Sequence, residues 1–124
     1  MSKNILIVDD DPDMVELIST RLKANGYDVI TATDGLKGLE KVEKERPDLI
    51  ILDVMLPKLD GYHLCRILKF DEKYKAIPII LLTARGQSSD KSIGQEIKAD
   101  AYITKPFESE AVLKKIKELL NPNQ

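Results

Sequence analysis

Five short apolar runs punctuate the chain: Ile5 to Val8, Val29 to Ala32, Leu49 to Leu52, Ile79 to Leu82 and Tyr102 to Thr104. Longer stretches lie between them, and most carry apolar residues at helical spacing. This alternation predicts five parallel strands, each followed by a helix, with helices on both faces of one sheet. Runs one, three and four are almost wholly aliphatic, as strands buried on both faces should be. Runs two and five are shorter or more polar, which places them at the edges. Right-handed crossovers and that choice of edges give the strand order 2-1-3-4-5, a doubly wound α/β sheet.

Local signals support the helices. Asp11 is a natural N-cap, and Pro12 suits the first helical position, where its missing N–H has no partner to lose. Met14, Leu17, Ile18 and Leu22 form one apolar stripe, and Gly26 offers the left-handed residue that closes a helix. The last helix repeats the pattern with Val112, Leu113, Ile116, Leu119 and Leu120. The fourth helix, from about Ser89 to Lys98, is the weak one. Its large apolar residues are Ile93 and Ile97, and Gly94 costs about 1 kcal/mol relative to alanine. With so little to bury it is expected to be the least stable element.

Composition narrows the class. The sequence has 124 residues, one domain's worth, with 43 % hydrophobic and 32 % charged residues. The formal net charge of −2 gives no electrostatic reason to expect direct nucleic-acid binding. Lys114, Lys115 and Lys117 read as the wet side of an amphipathic helix. No apolar run approaches the roughly 20 residues that span a bilayer, so no membrane partner is expected. The first residues, Met-Ser-Lys-Asn, lead straight into the first strand, and the run is too short for a signal peptide. Cys65 is the sole cysteine, so no internal disulfide can form. A cytoplasmic setting fits these features.

The chemistry lies just beyond the strands. Asp9 and Asp10 follow strand one, Asp53 strand three, Thr83 strand four and Lys105 strand five. In a parallel sheet these positions share one edge. The winding reverses between strands one and three, and ligands bind outside the carboxyl ends of strands at such a point. Three carboxylates should therefore converge beside a hydroxyl and an ammonium. Close carboxylates repel, and a hard divalent cation such as Mg²⁺ relieves the repulsion while keeping positions open for phosphate oxygens. Asp53 is then a plausible nucleophile for a phosphoryl group, with Thr83 and Lys105 placed to neutralise its oxygens. Each feature alone has a plainer account. Asp9-Asp10-Asp11 could serve a helix dipole, Asp53 a turn, Thr83 a cap and Lys105 the surface. Their common position after aliphatic strands argues for a site.

These residues resemble the receiver domain of bacterial two-component response regulators, a flavodoxin-like fold, over essentially the whole chain. The resemblance rests on Ile5 through Asp11, Pro47 through Pro57, Asp60-Gly61, Leu82-Thr83-Ala84 and Lys105-Pro106-Phe107. It implies a receiver domain over residues 1–120 and a tail or linker start over 121–124. It implies that Asp53 accepts a phosphoryl group from a sensor histidine kinase or a histidine phosphotransfer protein. Asp10, Asp53 and the main-chain carbonyl of Met55 would ligate Mg²⁺, with Asp9 acting mostly through water. Thr83 and Lys105 would grip the phosphoryl oxygens, and Tyr102 would turn inward as Thr83 moves. The output would be a shift of the face built by the fourth helix, fifth strand and fifth helix, read by a downstream protein or output domain. Lys105–Pro106 is a candidate cis bond. Apart from transferring and losing its own phosphoryl group, such a domain is not an enzyme. A stand-alone regulator is slightly favoured over a receiver cut from a longer protein.

The sequence departs from the family in places. Lys98-Ala99-Asp100 stands where Gly-Ala-Asp is common, which predicts a changed local turn. The fifth helix lacks the Glu-Leu-x-Ala-Arg pattern of the winged-helix subfamily. Rival readings fit less well. A haloacid-dehalogenase-type phosphatase needs an acid two residues after its nucleophile, where this chain has Met55. A flavodoxin needs a Ser/Thr/Gly-rich loop where this chain has Asp9-Asp10-Asp11-Pro12. A receiver-like interaction module that is never phosphorylated is the remaining alternative. His63 and Cys65 are expected to be structural.

Overall fold

A computed structural model describes residues 2–84 and 99–121. The strands are β1 (Asn4–Val8), β2 (Asp28–Ala32), β3 (Leu49–Asp53), β4 (Ile79–Ala84) and β5 (Ala101–Lys105). They form one parallel sheet in the order β2-β1-β3-β4-β5. The polar runs two and five are its edges, as their composition predicts. Helices α1 (Pro12–Ala24), α2 (Gly35–Glu45), α3 (Gly61–Lys69) and a C-terminal helix (Ser109–Leu120) cover the sheet. The expected helix over Ser89 to Lys98 lies outside the described residues.

Side chains alternate along a strand, so each aliphatic strand feeds two cores. Leu6, Val8, Ile50, Leu52, Ile79 and Leu81 pack with Val42 of α2 and Leu64 and Leu68 of α3. Ile5, Ile7, Leu49, Ile51, Ile80 and Leu82 pack on the other face, with Ile18 and Leu22 of α1 and Val112, Leu113 and Ile116 of the C-terminal helix. Double-sided burial explains why these strands lack the polar alternation of a half-wet sheet.

The α1 signals operate as read. Asp11 caps the helix, its side chain accepting from the amides of Asp13 and Met14. Gly26, just past the end, has φ +89°. One residue departs from the expected stripe: Leu17 is 52 % exposed. The buried face runs through Ile18 and Leu22, with Met14 and Val15 packed partly against it. Leu17 stands about 100° around the helix from Ile18 and faces solvent. Among the described residues no helix is long and apolar enough to cross a membrane.

A polar anchor that the sequence does not advertise ties α3 to β5. The Lys69 ammonium, 6 % exposed, lies 2.6 Å from Asp100 Oδ2. It also donates to the carbonyls of Ile77 at 2.8 Å and Lys75 at 3.1 Å. The same Asp100 oxygen accepts from the Ile79 amide at 2.8 Å. The end of α3, the entry to β4 and the turn before β5 therefore share one charge pair, buried on its lysine side only. Removing one partner leaves the other charge uncompensated. Asp100→Ala should cost about 2–3 kcal/mol in urea unfolding, the half-exposed carboxylate reducing the full penalty. A loss below about 0.5 kcal/mol would show that the pair behaves as a surface ion pair.

Candidate functional site

The carboxyl ends of β1 and β3 are neighbours, with Val8 opposite Leu52. Asp9 leaves the end of β1, Asp53 ends β3, and Asp10 follows Asp9. Carboxylate oxygens of Asp9, Asp10 and Asp53 lie within 4.8 Å of one another. Asp9 and Asp53 are buried, and Asp10 is exposed. Lys105, the last residue of β5, places its ammonium 3.4 Å from Asp9 Oδ2 and 3.4 Å from Asp53 Oδ2. Thr83, 2 % exposed, sits near the end of β4 opposite Thr104. The sheet thus brings four of these predicted residues into direct proximity, with Thr83 on the same edge. The Lys105–Pro106 peptide is cis.

Backbone amides orient two of the carboxylates. Asp9 Oδ1 accepts from the Asp11 amide at 3.0 Å, and Asp53 Oδ1 from the Met55 amide at 3.2 Å. The loop beyond Asp53 returns tightly on itself, with the Gly61 amide donating to the Val54 carbonyl at 3.1 Å. A Cβ on Gly61 would stand 2.2 Å from the carbonyl oxygen of Asp53. Only glycine lets α3 start this close to the Asp53 backbone.

Burial raises the pKa of Asp53, and the Asp9 charge raises it further. Lys105 and the Met55 amide pull the other way without cancelling those effects. The pocket therefore holds more negative charge than its own cation neutralises. Its donors are hard oxygens, which suit Mg²⁺ or another hard divalent ion.

Tyr102, the second residue of β5, packs against the core on the α3 side of the sheet. Its hydroxyl oxygen is buried, with no hydrogen-bond partner among the described residues. Burial raises its pKa, and so do the neighbouring Cys65 and Asp100. The ring is partly buried, with the hydroxyl end covered.

Cys65 and His63 play the structural parts expected of them. Burial pushes the Cys65 thiol up to about 12, which leaves it an inert packing group. His63 is exposed on α3 and its ring sits 2.6 Å from Asp60, the α3 N-cap. Burial pushes the Asp60 carboxyl up, but bonds from the His63 amide and ring outweigh it and hold the group low.

The protein is a doubly wound α/β domain with an acidic cluster at the carboxyl ends of its central strands. The family model for the response regulator receiver domain matches residues 5–117. The chain belongs to that family, the phosphoryl-accepting domain of two-component response regulators. The alkaline phosphatase synthesis transcriptional regulatory protein PhoP of Bacillus subtilis is 47 % identical over all of this chain and 51 % of its own length. The chain thus spans about half the length of the curated relatives it matches. The chemotaxis response regulator CheY4 of Vibrio cholerae superposes with a TM-score of 0.90 at 33 % identity, covering 97 % of this chain and 100 % of that one. The receiver domain of sensor histidine kinase PA1611 from Pseudomonas aeruginosa has a TM-score of 0.87 at 30 % identity over 97 % and 98 % of the two chains. That structure holds a magnesium ion in its active-site cleft.

The raised pKa of Asp53 fixes the sign of a pH effect. The folded state holds the Asp53 proton more tightly than the unfolded chain, so ionising Asp53 costs folded-state stability. The cost is absent below the ordinary carboxylate range and full above Asp53's raised value. In metal-free buffer at pH 7, Asp53→Asn should be more stable than wild type. The two should converge as the pH falls toward about 4. Urea titrations across that range test this. A less stable variant at pH 7 would mean that the carboxylate's hydrogen bonds outweigh its burial and the Asp9 repulsion.

Proposed function

We propose that Asp53 is the phosphoacceptor and that the acidic cluster holds Mg²⁺. The observation that carries the reading is the convergence of Asp9, Asp10 and Asp53 within 4.8 Å beside a single lysine. Asp10, Asp53 and the main-chain carbonyl of Met55 would hold the ion directly, with Asp9 acting through water. When bound, Mg²⁺ supplies positive charge opposite the oxygens of the transferring phosphoryl group.

Asp53 then acts as the nucleophile. A carboxylate oxygen forms a bond to phosphorus as the donor's P–N bond breaks, and the leaving imidazole takes a proton from solvent. Lys105 already bridges Asp9 and Asp53 at 3.4 Å each, so its ammonium needs little movement to meet a phosphoryl oxygen. Thr83 donates its hydroxyl to another. Attack of water on phosphorus later cleaves the aspartyl P–O bond and returns the carboxylate. In this reading residues 1–120 work as a receiver unit in the cytoplasm. A histidine kinase or phosphotransfer protein loads them, and the β5 edge, including Tyr102, passes the change to a downstream protein or output domain.

Incubation with Mg²⁺ and acetyl phosphate should add about 80 Da, one phosphoryl group. Asp53→Asn should add nothing. Lys105→Ala should slow the gain on the order of 100-fold, as loss of one charge-stabilising donor does. A wild type that gains no mass, even with a histidine kinase present, would favour the interaction-module reading and remove Asp53's role.

A further inference from the structure

The first turn of α2 lies flush against the loop that follows β3. A Cβ built on Gly35 would stand 1.8 Å from the Leu59 carbonyl oxygen and 2.7 Å from its carbon. This is backbone against backbone, so no rotamer change relieves it. Asp34, the buried N-cap of α2, accepts from the Lys37 amide at 2.8 Å. Its other oxygen lies 3.9 Å from the Lys58 ammonium.

The loop seated there is unusual in its backbone. Lys58 has φ +68°, a left-handed conformation that lysine rarely adopts. The Leu59 amide donates to the Pro57 carbonyl at 2.8 Å, closing the turn around Lys58. At the inner end of the same loop, the Met55 amide donates to Asp53 Oδ1 at 3.2 Å. The loop is thus tied at its two ends by Asp53 and Gly61, and its outer tip rests on Gly35.

We propose that Gly35 is a positioning residue for the phosphoacceptor. The missing side chain lets Leu59 seat on α2. That seat fixes the loop that carries the Met55 amide against Asp53 and the Met55 carbonyl assigned to the cation. An alanine at position 35 must push Leu59 outward. The loop's inner end, which touches the site, then shifts although no site residue has changed. The inference rests on the Mg²⁺ reading above.

Amide NMR titrations with Mg²⁺ test it on wild type, Gly35→Ala and Gly26→Ala. Gly26 precedes β2 at the amino ends of the strands, opposite the end that carries the pocket. Its φ is +89° with nothing within 4 Å of an added Cβ, so alanine there strains only the backbone. Gly35→Ala should bind Mg²⁺ roughly ten-fold more weakly, the usual cost of disturbing a ligand's support. Gly26→Ala should bind like wild type although it unfolds more easily. Wild-type affinity in Gly35→Ala, or an equal loss in Gly26→Ala, overturns the inference while leaving the cation reading intact. A wild type that binds no Mg²⁺ overturns both. Should Gly35→Ala fail to fold, Asp34→Ala removes the cap and loosens the same turn without a clash. It too must weaken Mg²⁺ binding, and unchanged affinity in it overturns the proposal.

Discussion

Repulsion among three carboxylates in one pocket is the constraint on which the rest of this structure turns. Asp9 and Asp53 are buried and Asp10 lies beside them, with Lys105 in direct contact with the two buried groups. Burial strengthens every charge interaction there, because little water remains to screen it. The arrangement is unfavourable by itself, and the pKa of Asp53 is raised, first by burial and then by the Asp9 charge. It becomes favourable when positive charge arrives. A pocket with three carboxylates and one ammonium is electrostatically suited to receive further positive charge.

The fold supplies the rigid frame that keeps such groups together. β1 and β3 are central strands buried on both faces, so the residues at their ends cannot drift apart without breaking two cores. Lys105 arrives from the β5 edge, beyond β4. The half-buried Tyr102 lies on that same strand, and the Lys69–Asp100 pair anchors the strand's start. One short edge strand thus joins the pocket lysine to the partly buried tyrosine. Whatever moves Lys105 toward a ligand acts on the element that carries Tyr102.

The sheet was legible because its signals are local. Aliphatic runs that never alternate announced the central strands, and polar runs announced the edges. Acidic residues directly after β1 and β3 announced the pocket, since parallel topology alone sends them to one place. Other features needed coordinates. Leu17 belongs to the apolar stripe by spacing, yet the helix is rotated so that Val15 takes its place toward the core. Lys69 and Asp100 are thirty-one positions apart, and no spacing rule pairs them. Gly35 reads in sequence as a residue after an N-cap. Its role depends on Leu59, which reaches it only after β3 has been threaded through the middle of the sheet.

The most direct test of the account is a crystal structure with Mg²⁺ and beryllium fluoride, whose trifluoroberyllate group imitates a phosphoryl group. The account predicts that group on Asp53, Mg²⁺ held by Asp10, Asp53 and the Met55 carbonyl, and the Lys105 ammonium turned from Asp9 to a fluorine. Density for the group elsewhere, or a pocket with Lys105 still paired to Asp9 and no ion among the carboxylates, would contradict it.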